Sequence, residues 1–152
     1  GGAVMKRADI VARARREMGT PWQHQARCPG VAVDCHGFLG VVGKDCGVAE
    51  AEAWLADDEL MRYGRVARPE KSLALARRYL DEIPPKEAIE GDILFLAHRK
   101  HPRLPSHFAI VTKAEPRTII HAHEPNGEVV ENNLPETAPW FPVHAFRFRG
   151  VE

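Results

Sequence analysis

The 152-residue chain has no surplus of charge, since 21 basic residues are matched by 21 acidic ones. Long-range attraction to phosphate needs an excess of lysine and arginine, so the composition argues against nucleic acid and against an anionic membrane surface as partners. No stretch approaches the roughly twenty apolar residues of a membrane span. Met5 is followed by Lys6, Arg7, Ala8 and Asp9 without the apolar run of a secretion signal, and Gly1 to Val4 read as an expression remnant. Cysteine is scarce: the three thiols cannot all pair within one chain. Cys28 and Cys46 are left open as a bridge or as two free thiols. There is no Cys-x-x-Cys and no His-Glu-x-x-His. No metal and no cofactor are therefore expected, although His24, Cys28, Cys35, His36 and Cys46 cluster in sequence. Repeats, low-complexity tracts and linkers are missing too. With 44% hydrophobic residues, residues 5–152 read as one domain with one core.

What is present divides into helices first and strands after. Ile10, Ala14 and Met18 form an apolar line ended by Gly19 and Pro21, and Leu73, Ala76 and Leu80 form another before Pro84-Pro85. Between them Ala49 to Leu60 is expected to be helical and Tyr63 to Pro69 a loop. From Gly91 the pattern turns strand-like: Ile93 to Ala97, Phe108 to Lys113, Thr118 to Ala122, Glu128 to Glu131 and His144 to Phe148. Asn126-Gly127 between two such runs is a hairpin signal. The order implies an α+β domain with N-terminal helices packed on an antiparallel β-sheet. Arginines gather at Arg13, Arg15 and Arg16, at Arg62, Arg65 and Arg68, and at Arg77 and Arg78. They are expected on solvated helix faces, with one near a cleft able to meet a carboxylate.

The chemistry concentrates in two places. Cys35, Phe38, Leu39 and Val42 follow the i, i+3, i+4, i+7 spacing of one buried helix face, which puts Cys35 in the first turn. Unpaired amides and the positive dipole end there favour a thiolate and offer an oxyanion hole. A small buried residue satisfies the same pattern. His107 opens the strand that follows Gly91-Asp92-Ile93-Leu94-Phe95, where it can serve as the base of a cysteine nucleophile distant in sequence. A third group must orient that imidazole. His121 and His123 share one strand face by the period of two, so periodicity does not choose between them.

Taken in order, Gly19-Thr20-Pro21-Trp22, Asp34-Cys35-His36-Gly37-Phe38, Gly91-Asp92-Ile93-Leu94-Phe95, Ser106-His107-Phe108-Ala109-Ile110-Val111 and Ile119-Ile120-His121-Ala122 resemble the motifs of NlpC-type cell-wall cysteine peptidases. The likeness covers about residues 8–123 and is closest to the short branch carried by phages and gene transfer agents. It implies a papain-like fold, Cys35 as nucleophile, His107 as base and His121 as the orienting residue. It further implies a peptidoglycan stem peptide as substrate, cut between γ-D-glutamyl and a diamino acid, with tail proteins as partners and no cofactor. The enzyme would be made in the cytoplasm, ride on a phage-like tail and act on the periplasmic cell wall. His36 stands where the family has serine and Ser106 where it has glycine. Trp22, His24, Asp34, His36 and Ser106 are the candidate substrate contacts, with helix capping the alternative for Asp34 and a hydrophobic contact after Pro21 the alternative for Trp22. Two other functions fit the same layout: a degenerate structural tail component, and a papain-like amidase acting on a small molecule.

Overall fold

The computed structural model describes residues 5–57 and 68–152. Among them are four α-helices, α1 (Arg7–Arg16), α2 (Cys35–Asp45), α3 (Ala51–Ala56) and α4 (Pro69–Tyr79), and eight strands. β1 (Arg27–Cys28) and β2 (Ala32–Val33) form a small ribbon. The remaining strands are β3 (Asp81–Ile83), β4 (Ile93–His98), β5 (His107–Lys113), β6 (Thr118–His123), β7 (Glu128–Asn133) and β8 (Trp140–Arg147). They pair in the order β3-β8-β4-β5-β6-β7, antiparallel throughout. The architecture is the expected α+β arrangement of helices on an antiparallel sheet.

Alternation along the strands divides the interior in two. Phe95, Phe108, Ile110, Ile120, Ala122 and Phe146 face the helices, where Ile10, Ala14, Phe38, Leu39 and Val42 meet them. Leu94, Leu96, Ala109, Val111, Ile119 and Ala145 line the opposite face under Leu134 and Trp140. α2 is almost wholly surrounded, every residue from Gly37 to Gly43 being buried. This central helix meets α1, α3, β1, β5 and β6, so its first turn is presented to the sheet.

Several expectations change. Met18 does not continue the α1 line: the helix ends at Arg16, the chain reverses at Gly19 (φ 83°), and Met18 is 50% exposed. Pro69 is not loop but the first residue of α4, where its missing N–H costs nothing. The rest of the expected Tyr63 to Pro69 loop lies outside the described residues except Arg68, as do residues 58–60 of the expected Ala49 to Leu60 helix, which is helical over Ala51–Ala56 in its described part, and Arg62, Arg65 and Gly1 to Val4. The closing strand begins at Trp140 rather than His144 and runs between β3 and β4. β1, β2 and β3 are too short to show alternation in sequence.

Of the arginines expected on solvated helix faces, Arg15, Arg16, Arg77 and Arg78 are exposed, whereas Arg13 is not. Arg13 is 7% exposed and donates to Glu17 and Asp45. Arg15 pairs with Glu131, Arg77 with Glu82 and Arg78 with Asp57. Glu17, buried below α1, also accepts from Thr20 Oγ1 and from the Gly30 amide, tying the β1–β2 loop to the helix.

Candidate active site

Asp34 starts α2 with extended backbone geometry, and its Oδ1 accepts the Gly37 amide at 2.8 Å. Its Oδ2 accepts the Gln25 amide, also at 2.8 Å. The carboxylate is therefore a helix cap and a clamp on the preceding loop. That loop passes so close that a Cβ on Gly37 would stand 2.1 Å from the Ala26 carbonyl oxygen. Glycine is required here by space, not by φ.

The turn delivers Cys35 to the start of β5. The ladder between β5 and β6 begins at Ile110 with Ile120, leaving His107 and Phe108 beyond its end. Cys35 packs against the core cluster that contains Phe108, and the amides of Phe108, of His36 and of Cys35 itself favour its thiolate. The sulfur thus lies near the residue next to His107. Its side-chain neighbour is Nδ1 of His36, at 3.6 Å. Burial pushes the thiol up to about 12 and the Asp34 carboxylate adds to the rise, against the pull of the three amides. The thiolate expected from a helix N-terminus is thus not the resting state. The dipole end is present, but desolvation and a capping anion outweigh it.

The histidines line up in a chain. His107 Nε2 lies 2.7 Å from His121 Nδ1, and His121 Nε2 lies 2.7 Å from Asn132 Oδ1 on β7. Asn132 Oδ1 can only accept, so His121 carries its proton on Nε2. His121 Nδ1 then accepts from His107 Nε2–H, which leaves Nδ1 of His107 with its lone pair. Burial holds His107 well below its ordinary value, helped by His121, His123 and His36. Burial also lowers His121, to about 4, against the hydrogen bond it donates to Asn132. His123, which periodicity could not separate from His121, turns toward the hairpin and meets Asn126 Oδ1 at 2.6 Å through Nδ1. Its Nε2 is buried without a hydrogen-bond partner.

Asn132 and Trp140 were not anticipated. Trp140 sets its ring 5.5 Å from that of His107 and walls the imidazole. Counting outward from the Asn126-Gly127 turn pairs Ile119 with Asn132, so hairpin register alone could have placed Asn132 on the His121 face. Of the other sequence candidates, His36 is at the thiol and His24 is close enough for its charge to act on Asp34 and His36. Ser106 is exposed just before His107, its amide bound to the Leu96 carbonyl. Trp22 packs against the core, and its amide holds the Gly127 carbonyl at 2.8 Å. All three cysteines are free; Cys28 is exposed and Cys46 half-buried. Among the described residues no group of three or more His, Cys, Asp and Glu is arranged to hold a metal ion. No helix among them is long and apolar enough to cross a membrane.

A capped helix presenting a thiol to antiparallel strands that carry imidazoles defines the papain-like NlpC/p60 fold. The NlpC/p60 domain of the peptidoglycan hydrolase SagA is similar over 92% of this chain and 97% of its own, at 25% identity and a TM-score of 0.58. An NlpC/P60 family protein from Bacillus cereus matches 96% of this chain at 17% identity and a TM-score of 0.66, and this chain spans 41% of that protein's length. An N-acetylmuramoyl-L-alanine amidase from Bacteroides uniformis matches 94% of this chain and 98% of its own at 12% identity, with a TM-score of 0.63. No family model and no curated protein matches the sequence.

Proposed function

We propose that the chain is a cell-wall hydrolase that cleaves an amide bond of the peptidoglycan stem peptide through Cys35. The observation that carries the reading is the chain His107–His121–Asn132, which keeps a lone pair on His107 Nδ1 one residue from Phe108, whose amide favours the Cys35 thiolate. Likeness to the SagA domain supports the substrate class. Sulfur gives its proton to His107 as it attacks the carbonyl carbon, and amides at the start of α2 face the developing oxyanion. The His107 imidazolium then protonates the leaving amine, the C–N bond breaks, and a thioester remains. Water, deprotonated by His107, hydrolyses it. The bond proposed is that between γ-D-glutamyl and the diamino acid, and the proposed setting is a phage-like tail that carries the enzyme to the wall. Mass spectrometry of muropeptide digests tests this reading: products ending in γ-D-glutamate support it, whereas cleavage at the muramyl–alanine amide or intact muropeptides overturn it.

The electrostatics give a pH signature. Both partners rest neutral, the thiol because it is raised and His107 because it is lowered. The base is lost only when pH falls through the depressed imidazole value, so kcat/KM is expected to stay level through 6.5 and to drop at lower pH. A rate profile between about pH 4 and pH 9 checks this. An acid limb at or above the ordinary histidine value contradicts it and points to a preformed ion pair.

Asn132→Ala removes the acceptor that fixes the His121 tautomer. kcat is expected to fall roughly 10-fold to 100-fold with KM nearly unchanged. Asn132→Asp keeps an acceptor and adds a negative charge, which favours imidazolium and moves the acid limb to higher pH. Steady-state kinetics on both variants separate a tautomer effect from general loosening, which would raise KM as well.

A further inference from the structure

The residue that follows the candidate nucleophile is itself an imidazole, and its orientation is set from two sides. Phe108 meets the His36 ring edge-on at 5.2 Å, and Trp54 of α3 stacks on it at 6.2 Å. The Trp54 Nε1–H donates to the His36 carbonyl at 2.9 Å, locking the same turn from outside. His36 Nδ1 is thereby held 3.6 Å from the Cys35 sulfur. The Phe108, His36 and Cys35 amides favour the thiolate, but the resting thiol carries a hydrogen that needs an acceptor. The sulfur makes no hydrogen bond to the His107 ring, and His36 Nδ1 is the side-chain atom within reach. Charges that face this pair are the Asp34 carboxylate at the helix cap, Arg27 on β1 and His24 before it, with His107 on β5.

We propose that His36 is a positioning residue for the thiol: its Nδ1 accepts the Cys35 S–H in the resting protein and holds sulfur in a rotamer that faces His36 instead of His107. The inference deepens the hydrolase reading, since it rests on Cys35 as the nucleophile. Its consequence is a thiol kept protonated and slow to react until sulfur turns to the second imidazole. The His36 ring, half-buried between two aromatic side chains, stays neutral, because burial lowers it to about 4. A neutral ring with its proton on Nε2 is the form that accepts.

The test needs no cell wall. Alkylation of each cysteine of the full chain by iodoacetamide is followed at pH 7 by peptide mass mapping. His36→Phe retains a ring between Trp54 and Phe108 but offers no acceptor, and Cys35 is expected to react roughly tenfold faster. His36→Asn places Oδ1 near the position of Nδ1 and is expected to return the rate toward wild type. In the unmutated ring the 15N resonance of His36 Nδ1 is expected to shift when Cys35 is replaced by alanine. An unchanged or slower Cys35 rate in a folded His36→Phe protein overturns the proposal. If that variant does not fold, a His36 Nδ1 resonance indifferent to Cys35→Ala overturns it instead. Faster alkylation together with intact muropeptides would remove the hydrolase reading and leave the role of His36 standing.

Discussion

Cys35→Ala is expected to abolish muropeptide cleavage, lowering kcat by a factor on the order of 10⁴ or more, while the melting temperature stays close to wild type. The asymmetry follows from where the sulfur sits. It is the only atom of the side chain beyond Cβ, so its loss removes the attacking group and little packing. Cys35 is half-buried at the edge of the core, and deleting one such atom costs about 1 kcal/mol or less. Far-UV circular dichroism and thermal melting establish the fold, and product formation from muropeptides under reducing conditions establishes the chemistry. Cys35→Ser is expected to be nearly as inactive, because a hydroxyl is a far weaker acid than a thiol and its alkoxide is harder to form. Equal digestion by wild type and Cys35→Ala would remove the thiol mechanism altogether. Equal inactivity of both would favour a structural role for the domain.

The second large effect concerns stability. Asp92, wholly buried, takes Arg7 Nη1 on Oδ1 at 2.9 Å and a bidentate fork from Arg147, with both contacts at 2.9 Å. Its Oδ2 also accepts the Ile89 amide at 3.0 Å. One carboxylate thereby joins the start of α1, the entry to β4 and the end of β8. Asp92→Ala leaves two guanidinium groups, 19% and 31% exposed, without their anion. Breaking a buried pair from one side costs about 3–5 kcal/mol. For a chain of this size that corresponds to a fall in melting temperature of roughly 10 °C. Asp92→Asn keeps the shape and part of the hydrogen bonding and is expected to lose less. Thermal and urea unfolding of the two variants measure the difference, and a loss below about 1 kcal/mol for Asp92→Ala would show that the arginines find other partners.

Legibility in the sequence varied with the range of the interaction. The long elements were readable because a buried face imposes a period: Phe38, Leu39 and Val42 on α2, Ile93 to Ala97 on β4, and Phe108 to Lys113 on β5. Phe146 and Phe148, two residues apart, do share the buried side with Arg147 opposite, as the alternation predicts. β1 to β3 escaped because strands of two or three residues complete no period; β1 and β2 pair only with each other across a short loop, and β3 is held by β8, distant in sequence. Met18 looked like core because spacing cannot see a helix end one turn early.

The candidate site was legible in part for the same reason. Its chemical groups sit in local motifs, so Cys35, His107 and the pair His121 and His123 could be named from order and spacing. Which imidazole turns to His107 could not, because both point to one face. Asn126 settles it by engaging His123 and Asn132 by engaging His121.

By itself the sequence determined residue type and facing: a thiol in the first turn of an apolar helix, histidines on one side of a sheet, and 21 basic residues balanced by 21 acidic ones. Those properties follow from covalent order and from the 3.6-residue and two-residue periods. Tertiary structure alone decided the protonation of the thiol, the tautomers of the histidine chain, the contact of His36 with sulfur and the junction at Asp92. These depend on desolvation and on atoms brought within about 3–4 Å by packing, and no local pattern encodes such distances.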